Sequence, residues 1–103
     1  MTDPLPVELT ALAAQQIRKA EAWWRNNRAA APNAIREELQ RVFKLIALQP
    51  RIGSAASNVK LQGIRRIFLR RIKYHIYWHL VSESQRVEVV AFWHGRRGDG
   101  PPI

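Results

Sequence analysis

The chain has 103 residues, of which 47% are apolar; 17 Lys and Arg stand against 8 Asp and Glu, and there is no cysteine. That length and apolar share predict one folded domain over residues 1–103, and the lack of cysteine excludes disulfide frameworks, thiol nucleophiles and thiolate zinc sites. The opening MTDPLPVELT carries no basic stretch followed by an apolar run, and no segment approaches the roughly 18 apolar residues of a membrane span. The expectation is a soluble, cytoplasmic protein without a membrane partner.

The net charge of +9 is unevenly spread: residues 1–52 hold eight Lys and Arg against five Asp and Glu, net +3, and residues 53–103 hold nine against three, net +6. A field of this sign attracts polyanions, either nucleic acid or an acidic protein segment. A merely solubilising surface is the plainer reading.

In chain order, PLPVEL reads as a short edge strand, where proline is tolerated. Thr10 is a candidate N-cap, and Ala13, Ile17, Ala20 and Trp24 then recur at helical spacing, predicting a helix over 10–28. Trp23, adjacent to Trp24, must face elsewhere, against the second helix or a partner. AAAPNAIREELQRVFKLIALQP predicts that second helix, with Pro32 in its first turn, Glu37 and Glu38 early, Lys44 late and Pro50 beyond its end. Its stripe is Ile35, Leu39, Val42, Phe43 and Ile46, so the two helices should form an antiparallel hairpin. RIGSAASN, 51–58, reads as a loop.

Beyond it the period changes to two. Residues 64–70 place Ile67 and Leu69 inward and Arg66, Phe68 and Arg70 outward. After a tight turn near Arg71, residues 72–80 place Ile72, Tyr74, Ile76, Trp78 and Leu80 inward and Lys73, His75, Tyr77 and His79 outward. SES at 82–84 turns the chain into 86–94, with Val87, Val89, Ala91 and Trp93 inward and Glu88, Val90, Phe92 and His94 outward. The fold class predicted is α+β: a short N-terminal edge strand and a helix hairpin on one face of a twisted antiparallel sheet.

The outward set mixes cations with rings and apolar groups, a composition that suits RNA phosphates and unstacked bases and equally an acidic amphipathic segment. His75 and His79 lie on one strand face but roughly 13 Å apart at about 3.3 Å per residue, too far to share a metal, and only Glu88 offers a nearby carboxylate. No metal or cofactor is expected. His94 can act as an acid or base near neutral pH, or simply end a strand with a hydrogen bond.

The segments VELTALAAQQI, ALQP, LQGIRRIFL, YHIYWHL and VEVVAFWHGRRG, in this order, resemble the RelE/ParE superfamily of bacterial type II toxins over nearly the whole chain. The resemblance implies an α+β toxin silenced in a hetero-oligomer by a cognate antitoxin whose acidic amphipathic segment folds over it. It also implies one of two activities. RelE-like members cut messenger RNA on the ribosome without metal; ParE-like members bind and stall DNA gyrase and are not enzymes. For the nuclease reading the catalytic candidates are Arg66, which matches a basic position of the family, with His75, His94 and Arg97. Phe68, however, stands where a second cation is expected and His75 where an arginine is, and GDGPPI after Arg97 contains no tyrosine. These departures favour the ParE-like branch. In either branch the residues expected to meet target or antitoxin are Trp23, Arg65, Arg66, Phe68, Arg70, Lys73, His75, Tyr77, His79, Phe92, His94, Arg96 and Arg97. A nucleic-acid-binding module without toxicity is a third reading.

Overall fold

The computed structural model of the chain describes residues 3–103. Thr10 caps the first helix as its spacing predicts: the hydroxyl oxygen accepts from the Ala13 amide at 3.1 Å, satisfying one of the donors a helix start leaves free. This helix, α1, runs Ala11–Asn27 and buries Ala13, Ile17 and Ala20. Trp24 leans on the same core and its indole N–H donates to the Ala31 carbonyl at 2.8 Å, fastening the interhelix turn. The second helix, α2, runs Ala34–Leu48 from an Asn33 N-cap. Pro32 therefore precedes the cap instead of occupying the first turn, because the amides of Ala31 and Ala34 close tight turns onto Arg28 and Ala31.

Five strands, not three plus an edge, form the sheet: β1 Val7–Leu9, β2 Ser54–Ala55, β3 Arg65–Leu69, β4 Tyr74–Val81 and β5 Arg86–His94, in spatial order β1-β5-β4-β3-β2. The β1 strand does lie at an edge, but it runs parallel to β5, with Val7 opposite Val87 and Leu9 opposite Val89; the sheet is therefore mixed. The β2 strand comes from the stretch read as a plain loop; it pairs antiparallel with β3 through Ser54 and Arg66. Where β1 ends, the Gln16 side chain takes over its role and accepts from the Phe92 amide at 2.8 Å, so that a sheet donor is not orphaned.

The β3–β4 connection is longer than the alternation suggests. Ile72 is buried in it and Lys73 adopts a left-handed φ of 66°, so Arg70 and Lys73 are exposed turn residues, not strand residues. The segment Ser82–Ser84 forms one 3-10 turn, closed by Gln85 at φ 48°.

A larger correction comes from β5. Tyr77 lies opposite Ala91 and Trp78 opposite Val89, which leaves Val90 as an extra residue between them, a β-bulge. Before it, Val87 and Val89 face the helices as expected. After it the parity inverts, since one residue of slip moves every later side chain to the other face. Phe92 and His94 therefore turn to the helix side, and Ala91 and Trp93 to the opposite one. Two cores result. The larger joins both helices to Leu69, Ile76, Trp78, Val87, Val89 and Phe92. The smaller lies on the far face, where Ile64, Tyr77, Val90 and Ala91 are covered by Ala56, Val59, Trp93 and Ile103. Among the described residues, no helix is long and apolar enough to cross a membrane.

Candidate functional site

The far face of the sheet is not the open surface that the alternation predicts. Tyr77 is fully buried, and its hydroxyl accepts from the Asn58 side-chain amide at 3.0 Å. The Lys60 amide donates to the Ile103 carbonyl at 2.9 Å, holding residues 56–60 and 101–103 together over Tyr77 and Val90. Outside this cover, rings occupy the surface: Phe68 and His75, cross-strand partners, have centroids 4.9 Å apart. Arg66 is half-buried on the same face.

Two residues expected to meet a partner are engaged within the protein. Arg65 turns to the side of its cross-strand partner Trp78, because its guanidinium donates to the carbonyls of Ile52 at 2.9 Å and Gly53 at 2.8 Å, anchoring the loop before β2. His79 shares a hydrogen bond of 2.8 Å with its cross-strand partner Glu88. Among the described residues no three His, Asp or Glu gather into a metal-binding cluster.

The bulge instead builds a site on the helix side. Tyr74 stacks on Phe92 with 4.4 Å between centroids and 4° between planes, and His94 meets Tyr74 edge-on at 5.0 Å. The Arg96 amide donates to His94 Nδ1 at 3.1 Å, which leaves the proton of the neutral ring on Nε2. Arg97 lies over the Trp93 ring at 4.1 Å, and the Trp93 indole N–H donates to the Asp99 carbonyl at 2.7 Å. Across the gap, at the end of α1, Arg28 lies 5.2 Å from the Trp23 ring and 5.9 Å from that of Trp24; such cation–π contacts hold both partners in place.

Between these groups is a cleft of about 580 Å³. Its rings are Trp23, Trp24 and Tyr74 with the His94 imidazole, and its cations are Arg28, Arg71, Lys73, Arg96 and Arg97. Arg71, in the β3–β4 turn, is held by α2, pairing with Glu37 at 2.8 Å and Glu38 at 3.7 Å. A smaller cleft of about 330 Å³ adjoins it along α1, lined also by Gln15, Gln16 and Lys19.

Of the residues singled out from the sequence, Trp23, Lys73, His94, Arg96 and Arg97 come together here, and Phe92 supports them from beneath. Arg66, Phe68, His75 and Tyr77 lie on the far face, and Arg70 is exposed in the β3–β4 turn. Sequence reasoning missed Arg28, Arg71 and Tyr74. The signal for Tyr74 was its chemistry: a phenol at the first position of a strand is better suited to a wet boundary than to a core.

Burial, then the nearby Arg96 and Arg97, hold the His94 imidazole below its ordinary value. Burial, then Arg66, do the same to His75. Burial raises the Tyr74 phenol, with Arg97 opposing. Both imidazoles take up protons less readily in the folded chain than in the unfolded one, whose histidines titrate near about 6.5. The unfolded state therefore binds more protons as pH falls through that value, so stability is expected to decline below roughly pH 6.5 and to level off once the folded imidazoles titrate too. Thermal melts across this range should show the decline, and a His75→Gln, His94→Gln double variant should flatten it.

The family described as ParE toxin of type II toxin-antitoxin system, parDE, matches residues 7–98. Among solved structures, the chromosomal ParDE toxin-antitoxin system from P. aeruginosa is similar with a TM-score of 0.70 at 13% identity, over 87% of this chain and 95% of that chain. The intact E. coli RelBE toxin-antitoxin complex is similar with a TM-score of 0.66 at 18% identity, over 90% and 99%. The RelBE2 complex from Mycobacterium tuberculosis reaches 0.65 at 17%, over 96% and 98%. No curated protein sequence matches. The structural likenesses establish the shared architecture of two helices on a five-stranded mixed sheet, and the family match covers most of the chain: it belongs to the ParE toxin family of type II toxin-antitoxin systems, within the RelE/ParE fold.

Proposed function

We propose that the chain arrests growth by inhibiting DNA gyrase and that a cognate antitoxin, presenting an acidic amphipathic segment, silences it. The observation that carries the gyrase reading is the far face of the sheet. Where a nuclease of this fold is expected to place cations, Phe68 and His75 lie ring against ring at 4.9 Å, and Tyr77 beyond them is closed off by Asn58 and Ile103. Rings in this arrangement suit a protein surface better than a charged phosphoryl transition state, which needs clustered donors.

With purified gyrase and relaxed plasmid, the chain is expected to abolish ATP-driven supercoiling. In cells, induction should cause filamentation and a DNA-damage response before protein synthesis falls. Arrest of translation with untouched supercoiling would refute the reading. The antitoxin contact rests on the surplus of cations, so its association rate should fall steeply with salt; a rate insensitive to salt would exclude a charge-led encounter.

One observation favours a second reading, ribosome-dependent cleavage of messenger RNA. His94, its imidazole held below its ordinary value by burial and then by Arg96 and Arg97, meets Tyr74 edge-on beside those two cations, a combination able to move a proton near stabilised negative charge. It predicts cut transcripts on ribosomes that remain intact in His94→Ala.

A further inference from the structure

The helix-side cleft is lined mainly by rings and cations. Three of its side chains are large rings, Trp23, Trp24 and Tyr74, and its one aliphatic side chain, Ile72, is buried. An amphipathic helix seats its apolar face in a groove that is hydrophobic along its length; this cleft sets cations between its rings. Trp23 in particular is 48% exposed at the rim, held there with Arg28 at 5.2 Å.

The charges narrow the ligand further. Of the five lining cations, Arg28, Lys73, Arg96 and Arg97 have no carboxylate partner among the described residues, and no carboxylate lines the cleft. They arrive from three separate segments: the end of α1, the β3–β4 turn and the stretch after β5. A nucleic-acid strand spreads its negative charge along its length, one phosphate per nucleotide. A chain of phosphates on a single ligand brings several charges to one place, and guanidinium groups engage phosphate oxygens in pairs. The volume, about 580 Å³, falls within the roughly 300–1,000 Å³ of small-molecule sites.

We propose that this cleft binds a nucleoside polyphosphate, its base stacked on the Trp23 indole and its phosphates held by Arg28, Lys73, Arg96 and Arg97. Tyr74 and His94 form the floor between the two. In this placement His94 faces Arg96 and Arg97 from its own segment, Lys73, Arg71 and Tyr74 from the β3–β4 side, and Arg28 from α1.

The test is a calorimetric and tryptophan-fluorescence titration of the purified chain at low salt with ATP, AMP, inorganic triphosphate and a short single-stranded oligothymidine. ATP is expected to bind one to one, more tightly than AMP, and more tightly than inorganic triphosphate because of the base. Trp23→Ala should weaken ATP roughly ten-fold, the magnitude of one lost base stack, and leave inorganic triphosphate unchanged. Arg97→Gln should weaken both and reduce the salt dependence. Both side chains are exposed or half-exposed, and unchanged circular dichroism spectra will show that the variants fold. The proposal is overturned if ATP does not bind, if ATP and inorganic triphosphate bind alike and Trp23→Ala changes neither, or if the oligonucleotide binds more tightly than ATP at equal salt, which would assign the cleft to a strand. Gyrase and antitoxin are absent from the titration, so its outcome is separate from that of the supercoiling assay.

Discussion

Trp78→Ala is expected to cost about 3–5 kcal/mol of stability, the range for emptying an aromatic site in a well-packed core. Trp78 is completely buried on the helix side of β4, where it joins the two central strands to both helices. Its indole N–H also donates to the Pro50 carbonyl at 2.9 Å, tying the end of α2 to the middle of the sheet. Truncation removes the packing and leaves that carbonyl without its partner. Since small domains are stable by only about 5–15 kcal/mol, the variant should be close to unfolding at ordinary temperature. Chemical denaturation measures the loss directly. Trp78→Phe keeps most of the volume while removing the donor and one ring, so it should lose a smaller amount; equal losses in the two variants would show that packing is not what Trp78 supplies.

Gly53→Ala is the second large effect, and it bears on how Arg65 is held. Gly53 sits at φ +80°, and a Cβ there would lie 2.5 Å from the Arg66 carbonyl oxygen and 2.9 Å from an Ile67 side-chain carbon. The left-handed backbone by itself disfavours alanine by about 1–2 kcal/mol. The clash with backbone adds an overpacking penalty of roughly 1–3 kcal/mol, and relief requires β2 to move off β3. Gly63 is the control: its φ is +77°, yet nothing lies within 4 Å of a Cβ there. Gly63→Ala should show the conformational part alone. Denaturation of the pair separates the two causes, and equal losses would mean that the close approach of Gly53 to β3 does not matter.

Much of the fold was legible because local chemistry encodes it. Thr10 announced a helix start by its hydroxyl, and Ala13, Ile17 and Ala20 marked its buried stripe. The alternation from Ile67 to Trp78 assigned the β3 and β4 faces correctly. The same alternation misassigned the end of β5, since Val90 looks like any other strand residue and is a bulge only because of how it opposes Tyr77 and Trp78. Phe92, Trp93 and His94 were thereby placed on the wrong faces. The cover over Tyr77 was equally hidden: Asn58 and Ile103 reach it from distant parts of the chain, and nothing local to either names a partner.

The candidate site divides in the same way. Trp23, His94, Arg96 and Arg97 could be singled out by type, because exposed rings and clustered cations are informative wherever they lie. That they meet Arg28, Arg71 and Tyr74 in one cleft could not.

The sequence alone determined the two helices, the central antiparallel strands, the basic surplus of the second half and the resemblance to a toxin superfamily, since propensity, periodicity and charge act over a few residues. Only the tertiary structure decided the parallel pairing of β1 with β5, the covering of the far face and the gathering of residues 23–28, 71–74 and 94–97 around one cleft. Those depend on which distant strand supplies each backbone partner. A one-residue bulge then determines which side of the sheet the terminal histidine and arginines serve.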